Sequence, residues 1–210
     1  MKFLVFEPDH WISGFLLSYM KKEKIEFELG TFDKPYEEQI DQVKPTHILC
    51  CSNQHKVLEI SFYSNSQNIK FNYVGLAFPE LNILENILYI EVVRPIWNKT
   101  HPENYIDKLL AKKKVNIQQE KISVLDELLV YAYSLIKRDF KGPYDLVNKE
   151  TISDNEILKL YRRHVDDSVV FDKIDNPPKA TEGNKPVDDL FKYRMEAKSS
   201  VELTLQHYNK

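Results

Sequence analysis

The residue types able to do chemistry in this chain are six histidines, two cysteines and the carboxylates and lysines around them. His10, His47, His55, His101, His164 and His207 show no His-Glu-x-x-His spacing, and there is no Cys-x-x-Cys, so no zinc or other metal site is expected. Cys50 and Cys51 are neighbours and would point to opposite faces of a strand, which suits two buried thiols in a reducing compartment better than a disulfide. Either thiol with His55 could form a thiolate–imidazole pair, but both lie in an apolar stretch and no oxyanion-binding feature accompanies them. The remaining candidate is the segment Glu7-Pro8-Asp9-His10-Trp11-Ile12-Ser13-Gly14. Its two acids at a helix N-terminus suit the helix dipole but would repel a pyrophosphate held there. Pro8 also removes a backbone donor, so the segment reads as an acid-capped helix start without a ligand.

The elements that would position these residues alternate. Phe3-Leu4-Val5-Phe6 is a short apolar run suited to a strand buried on both faces, and Trp11 to Met20 recurs at helical spacing. Lys24 to Leu29 alternates and closes at Gly30, and Tyr36 to Val43 reads as a helix stopped by Pro45. His47 to Cys51 is a third strand, Gln54 to Ile60 a short helix and Ile69 to Ala77 a fourth strand. A helix around Pro79 to Glu85 then precedes the strand Ile87 to Val93. Strands alternating with helices imply a Rossmann-like, mainly parallel α/β sheet with helices on both faces. After Pro95 the order changes to a small C-terminal α+β lobe, so the expected division is 1–95 and 96–210. In that lobe Pro102 to Lys112 is amphipathic, Val115 to Gln118 extended, Ser123 to Arg138 a long helix and Gly142 to Val147 extended. Ser153-Asp154-Asn155-Glu156 is a capping box opening another helix. Asp166 to Pro186 is a polar connection, and a last helix is expected from Val187 to Tyr208.

Composition narrows the function classes. The chain has 210 residues, 42% of them apolar and 29% charged, which predicts a packed globular core. A net charge of -3, with 29 basic against 32 acidic residues, gives no field for nucleic acid or for an anionic membrane, and neither partner is expected. No apolar run approaches the ~20 residues of a membrane span, and the opening segment is too short for a signal peptide. A soluble cytoplasmic protein is therefore expected. Only 5 glycines are present, well below the usual share of ~7%, which matters wherever a phosphate must approach the backbone closely.

Several stretches together resemble one family. Phe3 to Phe6 followed by Trp11-Ile12-Ser13-Gly14 resembles the start of the nucleotide-rhamnose synthases, nucleotide-sugar 3,5-epimerase/4-reductases of the extended short-chain dehydrogenase/reductase superfamily. Lys44-Pro45-Thr46-His47-Ile48 resembles that family's K-P-[ST]-H-V, His55 to Ile60 its H-K-V-E-T-I, and Asn72 to Phe78 its N-Y-A-T-G-C-I-F. Val93 to Ile96 resembles V-R-M-P-I, Thr100 to Lys108 resembles T-N-P-R-N-F-I-T-K, Ser123 to Leu129 resembles T-I-L-D-E-L-L, and Ile152 to Tyr161 resembles V-S-H-N-E-I-L-E-L-Y. The likeness is collinear over most of residues 2 to 165. It implies a Rossmann-like fold, NAD(P)H as cofactor and a nucleotide-linked 4-keto-6-deoxyhexose as substrate in rhamnose-type sugar biosynthesis.

The departures from that pattern set the functional expectation. Glu7, His10 and Ser13 stand where the family's cofactor turn has glycines. The family's Thr and Cys are not retained in Val74-Gly75-Leu76-Ala77. Between Phe78 and Leu84 the chain skips roughly forty residues of the family pattern, including the Tyr-x-x-x-Lys pair that protonates the substrate oxygen. Tyr105 and Lys108 have the wrong spacing, and Tyr133 with Lys137 reads as a core tyrosine and a surface lysine. A pseudoenzyme is therefore expected, with no catalytic residues and no cofactor, acting through a partner: a second copy, an active relative or a nucleotide-sugar. The alternative is residual epimerase or reductase activity on a UDP- or dTDP-4-keto-6-deoxyhexose, with Arg94, Asn98, Glu103, Asn104, Asp126 and Glu127 as polar lining. These readings differ in whether an open polar pocket survives at the sheet's carboxyl edge or Glu7, Trp11 and Phe78 fill it.

Overall fold

The computed structural model describes residues 1–52, 54–78, 81, 84, 86–112, 114–174, 185–186, 191 and 194–209. Two compact units are present, Met1–Glu91 with Leu129–Tyr144, and Val92–Leu128 with Asp145–Lys210. The expected single break at residue 95 is thus corrected: residues 129–144 return to the first unit, because their apolar side chains complete its core.

In the first unit β1 (Lys2–Phe6), α1 (Trp11–Lys22), β2 (Glu26–Gly30), α2 (Tyr36–Val43), β3 (His47–Cys50), α3 (Lys56–Ser66), β4 (Lys70–Gly75) and β5 (Leu88–Val92) alternate as the periodicity predicts. The six principal strands of the main sheet lie in the order β2-β1-β3-β4-β5-β10, where β10 is Gly142–Leu146. Strands β2, β1, β3, β4 and β5 pair in parallel, with Phe6 opposite both Gly30 and Cys50 and Tyr73 opposite Tyr89. Phe3, Leu4, Val5 and Phe6 are each fully buried, as a strand covered on both faces requires. Leu4 and Phe6 join Ile40 of α2 and Val57 and Ile60 of α3 in one cluster. On the other face Phe3 meets Tyr133, which also packs against Tyr19 of α1. Helix α3 runs past the expected end at Ile60 to Ser66, because the hydroxyls of Ser61, Ser64 and Ser66 bond back to the carbonyls of Leu58, Ile60 and Tyr63 instead of stopping the helix. The expected helix at Pro79 to Glu85 lies largely outside the described residues.

His47 on β3 is buried against the Phe3 ring, centroids 5.1 Å apart, and its Nδ1 lies 2.8 Å from Thr46 Oγ1. Burial and the nearby Lys70 charge push its pKa down to about 4 from 6.5. A histidine held neutral in the fold but free to charge when unfolded stabilises the protein above pH 6.5, and that stability is lost as pH falls towards 4. The expected loss is about 3 kcal/mol by pH 4. Urea denaturation at pH 7 and pH 4 checks this: the pH-dependent difference should shrink by that amount in His47→Gln.

The second unit is built from short pairs and three helices. β6 (Pro95–Ile96) pairs in parallel with β9 (Ser123–Val124), β7 (Lys114–Asn116) with β12 (Asp172–Ile174), and β8 (Gln119–Glu120) pairs antiparallel with β11 (Ile152–Ser153). α4 (Tyr105–Leu110), α6 (Asp154–His164) and α7 (Ala197–Leu205) pack around Ile106, Leu109, Ile157, Leu160 and Val201. The long helix α5 (Leu125–Lys137) begins two residues later than expected, because Ser123 and Val124 are a strand whose serine hydroxyl bonds the Leu146 carbonyl and accepts from Val93 N at 2.8 Å. The capping box is formed as read, with Ser153 Oγ accepting from Glu156 N and Glu156 Oε2 accepting from Ser153 N. The last helix starts at Ala197 rather than Val187. Lys149 bridges Glu196, donates to Met195 O and accepts from Ala197 N, so residues 195 and 196 are held extended. Residues 187–190 lie outside the description. Among the described residues no helix is long and apolar enough to cross a membrane.

Candidate functional site

The order in which strands are added reverses at β1, with β2 laid on one side of it and β3, then β4 and β5, on the other. Ligands of open α/β sheets sit at the carboxyl edge at such a point. A cleft of about 640 Å³ opens there, lined by Glu7 to His10 after β1, Leu29 to Asp33 at the end of β2, and Gln54 and Lys56 beyond β3. An open polar pocket therefore survives at this part of the edge.

Local sequence chemistry shapes its walls. Glu7 has φ 53°, a left-handed conformation that a side chain adopts at a cost, so the turn keeps a glycine-type backbone while carrying a carboxylate. That carboxylate accepts from Gln54 Nε2 at 2.6 Å, which ties the β1 turn to the start of α3. His10 is the N-cap of α1 and offers no side-chain cap bond. Ser13, fully buried, packs where α1 must approach the sheet, with its hydroxyl towards the Cys51 thiol. Gly30 is needed because a Cβ there would lie 2.9 Å from the Phe6 ring. Phe32, stacked on Phe6 at 5.7 Å, accepts at its carbonyl from Lys56 Nζ, which draws the one lysine of the cleft towards the end of β2. Asp33 Oδ2 accepts from the Thr31 hydroxyl at 3.2 Å, and Gln39 clamps Thr31 from both sides of its backbone. With Glu7, Asp9 and Asp33 against Lys56, the cleft favours uncharged hydroxyl-bearing or cationic groups over anions.

Farther along the edge, at β4 and β5, the space is filled. Tyr73 and Tyr89 are stacked at 5.2 Å, Phe78 packs edge-on to Tyr73 at 5.8 Å, Tyr73 Oη donates to Leu76 O at 2.8 Å and Phe78 N donates to Tyr89 Oη at 2.8 Å. The connection from β4 to β5 spans only residues 76–87. Phe78 therefore fills space as one of the alternatives supposed, whereas Glu7 lines the open cleft and Trp11 is half-exposed.

Neither Tyr105 nor Tyr133, the tyrosines weighed from the sequence, nor Tyr73 at the sheet edge is tuned to give up a proton. Burial and neighbouring Tyr89 hold Tyr73 far above its ordinary value, burial and Asp154 do the same to Tyr105, and burial raises Tyr133. Tyr105 Oη donates to Asp154 at 2.8 Å, Lys108 pairs with Glu103 at 2.6 Å, and Lys137 is exposed. The Cys50 and Cys51 thiols are fully buried; desolvation raises both, Cys51 to about 12, so neither is a thiolate nucleophile near neutrality. Among the described residues no three His, Cys, Asp or Glu side chains converge as a metal site.

The six polar residues read as a substrate lining are mostly engaged elsewhere. Asn104 is the buried N-cap of α4, accepting from Ile106 N and donating to Trp97 O and Lys99 O at 2.8 Å each. Glu127 accepts from Met195 N at 2.7 Å, Ser200 Oγ at 2.6 Å and Asn148 Nδ2 at 2.9 Å. Arg94, at φ 44°, is ion-paired with Glu120 and lies over the Tyr105 ring, and Glu103 is paired with Lys108. Asp126 lies beside the Asn98 backbone, which with Lys99 offsets part of the rise that burial gives its carboxyl. Sequence reasoning missed Thr31, Asp33, Gln54 and Lys56. The signal for them was available: three parallel strands must bring their carboxyl ends together.

The first unit is thus a Rossmann-like sheet with a cleft at its carboxyl edge. No family model matches the chain. By sequence it is 36% identical over 109 residues, 51% of this chain and 34% of the other, to a bifunctional dTDP-4-dehydrorhamnose 3,5-epimerase/dTDP-4-dehydrorhamnose reductase of Arabidopsis thaliana. It is 24% identical, over 79% of this chain and 34% of the other, to a trifunctional UDP-glucose 4,6-dehydratase/UDP-4-keto-6-deoxy-D-glucose 3,5-epimerase/UDP-4-keto-L-rhamnose-reductase of the same plant. The chain thus spans about a third of the length of these two curated relatives. By structure it is similar to a UDP-rhamnose synthase from Acanthamoeba polyphaga mimivirus, with a TM-score of 0.81, 14% identity and 99% of each chain covered. It is also similar to a dTDP-4-dehydrorhamnose reductase from Bacillus anthracis in complex with NADP, with a TM-score of 0.75, 11% identity and 97% and 96% of the two chains covered. The chain's homologues and structural neighbours are therefore members of the dTDP-4-dehydrorhamnose reductase/UDP-rhamnose synthase family.

Proposed function

We propose that this chain is a pseudoenzyme on the nucleotide-sugar epimerase/reductase scaffold, binding no NAD(P)H and acting through a partner in a soluble, reducing compartment. The edge cleft stays open, as the alternative of residual activity would require, so the observation that carries this reading is the chemistry of the turn after β1. A dinucleotide's pyrophosphate needs backbone N–H groups and close approach at that turn. Here Glu7 and Asp9 place carboxylates in the same space, Pro8 has no N–H, and with Asp33 the cleft's acids outnumber its one lysine, Lys56. These residues do not fit the cofactor of the related enzymes. Burial raises Tyr73, Tyr105 and Tyr133 above their ordinary range, which makes each of these three a weaker acid for the reduction. A second copy of the chain or an active relative is the partner this reading calls for, since a scaffold without chemistry acts by association.

Thermal shift and calorimetry with NADPH, NADH, UDP and a UDP-4-keto-6-deoxy sugar test the reading, because a ligand that binds only the folded state raises its melting temperature. No shift with either dinucleotide is expected. Saturable NADPH or NADH binding would overturn it, and UDP-sugar binding alone would move the assignment to a residual epimerase.

A further inference from the structure

We infer that strand β2, the open edge of the main sheet, is a docking surface for an added strand from a different protein, one whose extended segment alternates lysine or arginine with apolar residues. The inference deepens the reading above and rests on it, since it supplies the surface through which a chain without chemistry acts. β2 pairs with β1 on one side and with no described strand on the other. Its outward backbone N–H and C=O groups therefore face away from the ladder, a template on which a further strand can pair. The edge is also open to an incoming chain, for Glu26, Glu28 and Leu29 are exposed, Leu29 by 56%. Alternation along β2 sets the chemistry of the added strand. Glu26, Glu28 and Gly30 share one face, in register with Lys2, Leu4 and Phe6 of β1, and Phe27 and Leu29 share the other. Lys2 reaches Glu26 at 3.9 Å from the β1 side, and the Glu26 side chain remains 67% exposed. An added strand thus meets two carboxylates on one face and two apolar side chains on the other.

The same two acids argue against a second copy of this chain as the occupant. Two copies joined through this edge by a two-fold axis run antiparallel, and like charges directly opposite one another destabilise such a pair. Centring the pair on Glu28 sets that residue against its own counterpart, and centring it on Phe27 sets Glu26 against Glu28 at both ends. Centring it on Leu29 leaves only Glu28 to Gly30 in the ladder, because the strand ends there. A basic strand meets no such barrier: its cations face Glu26 and Glu28 while its apolar residues lie against Phe27 and Leu29.

Calorimetric titration of the full chain with a short peptide of alternating lysine and valine, joined to amide hydrogen exchange, checks this. The peptide should bind and slow exchange within Glu26–Gly30. A peptide of alternating glutamate and valine, and one with the same lysines and valines in separate blocks, should each bind about tenfold or more weakly. Added salt should weaken the lysine peptide. Glu26→Lys together with Glu28→Lys should reverse the preference in favour of the glutamate peptide, and both positions are exposed, so the fold is kept. If the lysine peptide binds no better than the other two, or slows exchange elsewhere than in β2, the inference fails and the pseudoenzyme reading stands. If the parent alone shows protection in β2 that is lost on dilution, a second copy holds the edge and the inference fails. NADPH binding in the thermal-shift experiment would overturn the pseudoenzyme reading alone, since strand addition is read at β2.

Discussion

Replacing Tyr73 by alanine is expected to lower the unfolding free energy by about 4 kcal/mol, the largest effect of any single change considered, because truncating a buried aromatic loses both transfer energy and packing. Tyr73 is fully buried, its ring stacked on Tyr89 and capped edge-on by Phe78, and its hydroxyl donates to the Leu76 carbonyl. The packing leaves no slack: a Cβ on Gly75 would lie 2.5 Å from Tyr73 Oη and 3.0 Å from Cys51 O. Tyr73→Phe should cost only about 1 to 1.5 kcal/mol, for the Leu76 carbonyl left without its donor. Urea denaturation of the two variants beside the parent separates ring from hydroxyl. Equal losses for both would mean that the hydrogen bond, not the stacked ring, holds this edge closed. The result bears on function, because a tyrosine spent on packing and held far above its ordinary pKa is not available as an acid.

How much of this was legible in the sequence depends on the range of the interactions. Strand–helix alternation from Phe3 to Val43 was readable because each element carries its own periodicity, and Ser153 with Glu156 was readable because a capping box is complete within four residues. The Tyr73–Tyr89 stack was not, since it depends on the parallel register of β4 and β5. The start of the last helix was misread because the bridge from Lys149 to Glu196 spans a long stretch of chain. At the site, Glu7 and His10 were recognised at glycine positions, but the left-handed backbone of Glu7 was not, since side-chain identity argues against the conformation it holds. Asp33, Gln54 and Lys56 join the cleft only once β1, β2 and β3 are placed side by side.

Glu127 shows the same limit from the opposite direction, because it was read as substrate lining and the structure gives it a framework role. Its two carboxylate oxygens take three donors, Met195 N, Ser200 Oγ and Asn148 Nδ2, while Asn148 Oδ1 accepts from Val124 N and its amide also donates to Ser200 Oγ. Hydrogen bonds to a charged acceptor contribute about 1.5 to 3 kcal/mol each, and partial access to water at Glu127 lets solvent replace some of that. Glu127→Ala should therefore cost about 3 kcal/mol. Glu127→Gln should recover little, because its amide would face donors, and Asn148 cannot turn over to accept without giving up Val124 N. Asp126→Ala, next in sequence, exposed, and in the first turn of α5 beside the Asn98 backbone, should cost no more than about 1 kcal/mol. Denaturation of the three variants decides between the two roles. A residue that only lined a substrate pocket would register no more than Asp126, whereas a carboxylate that satisfies three donors from distant parts of the chain must register well above it with no substrate present.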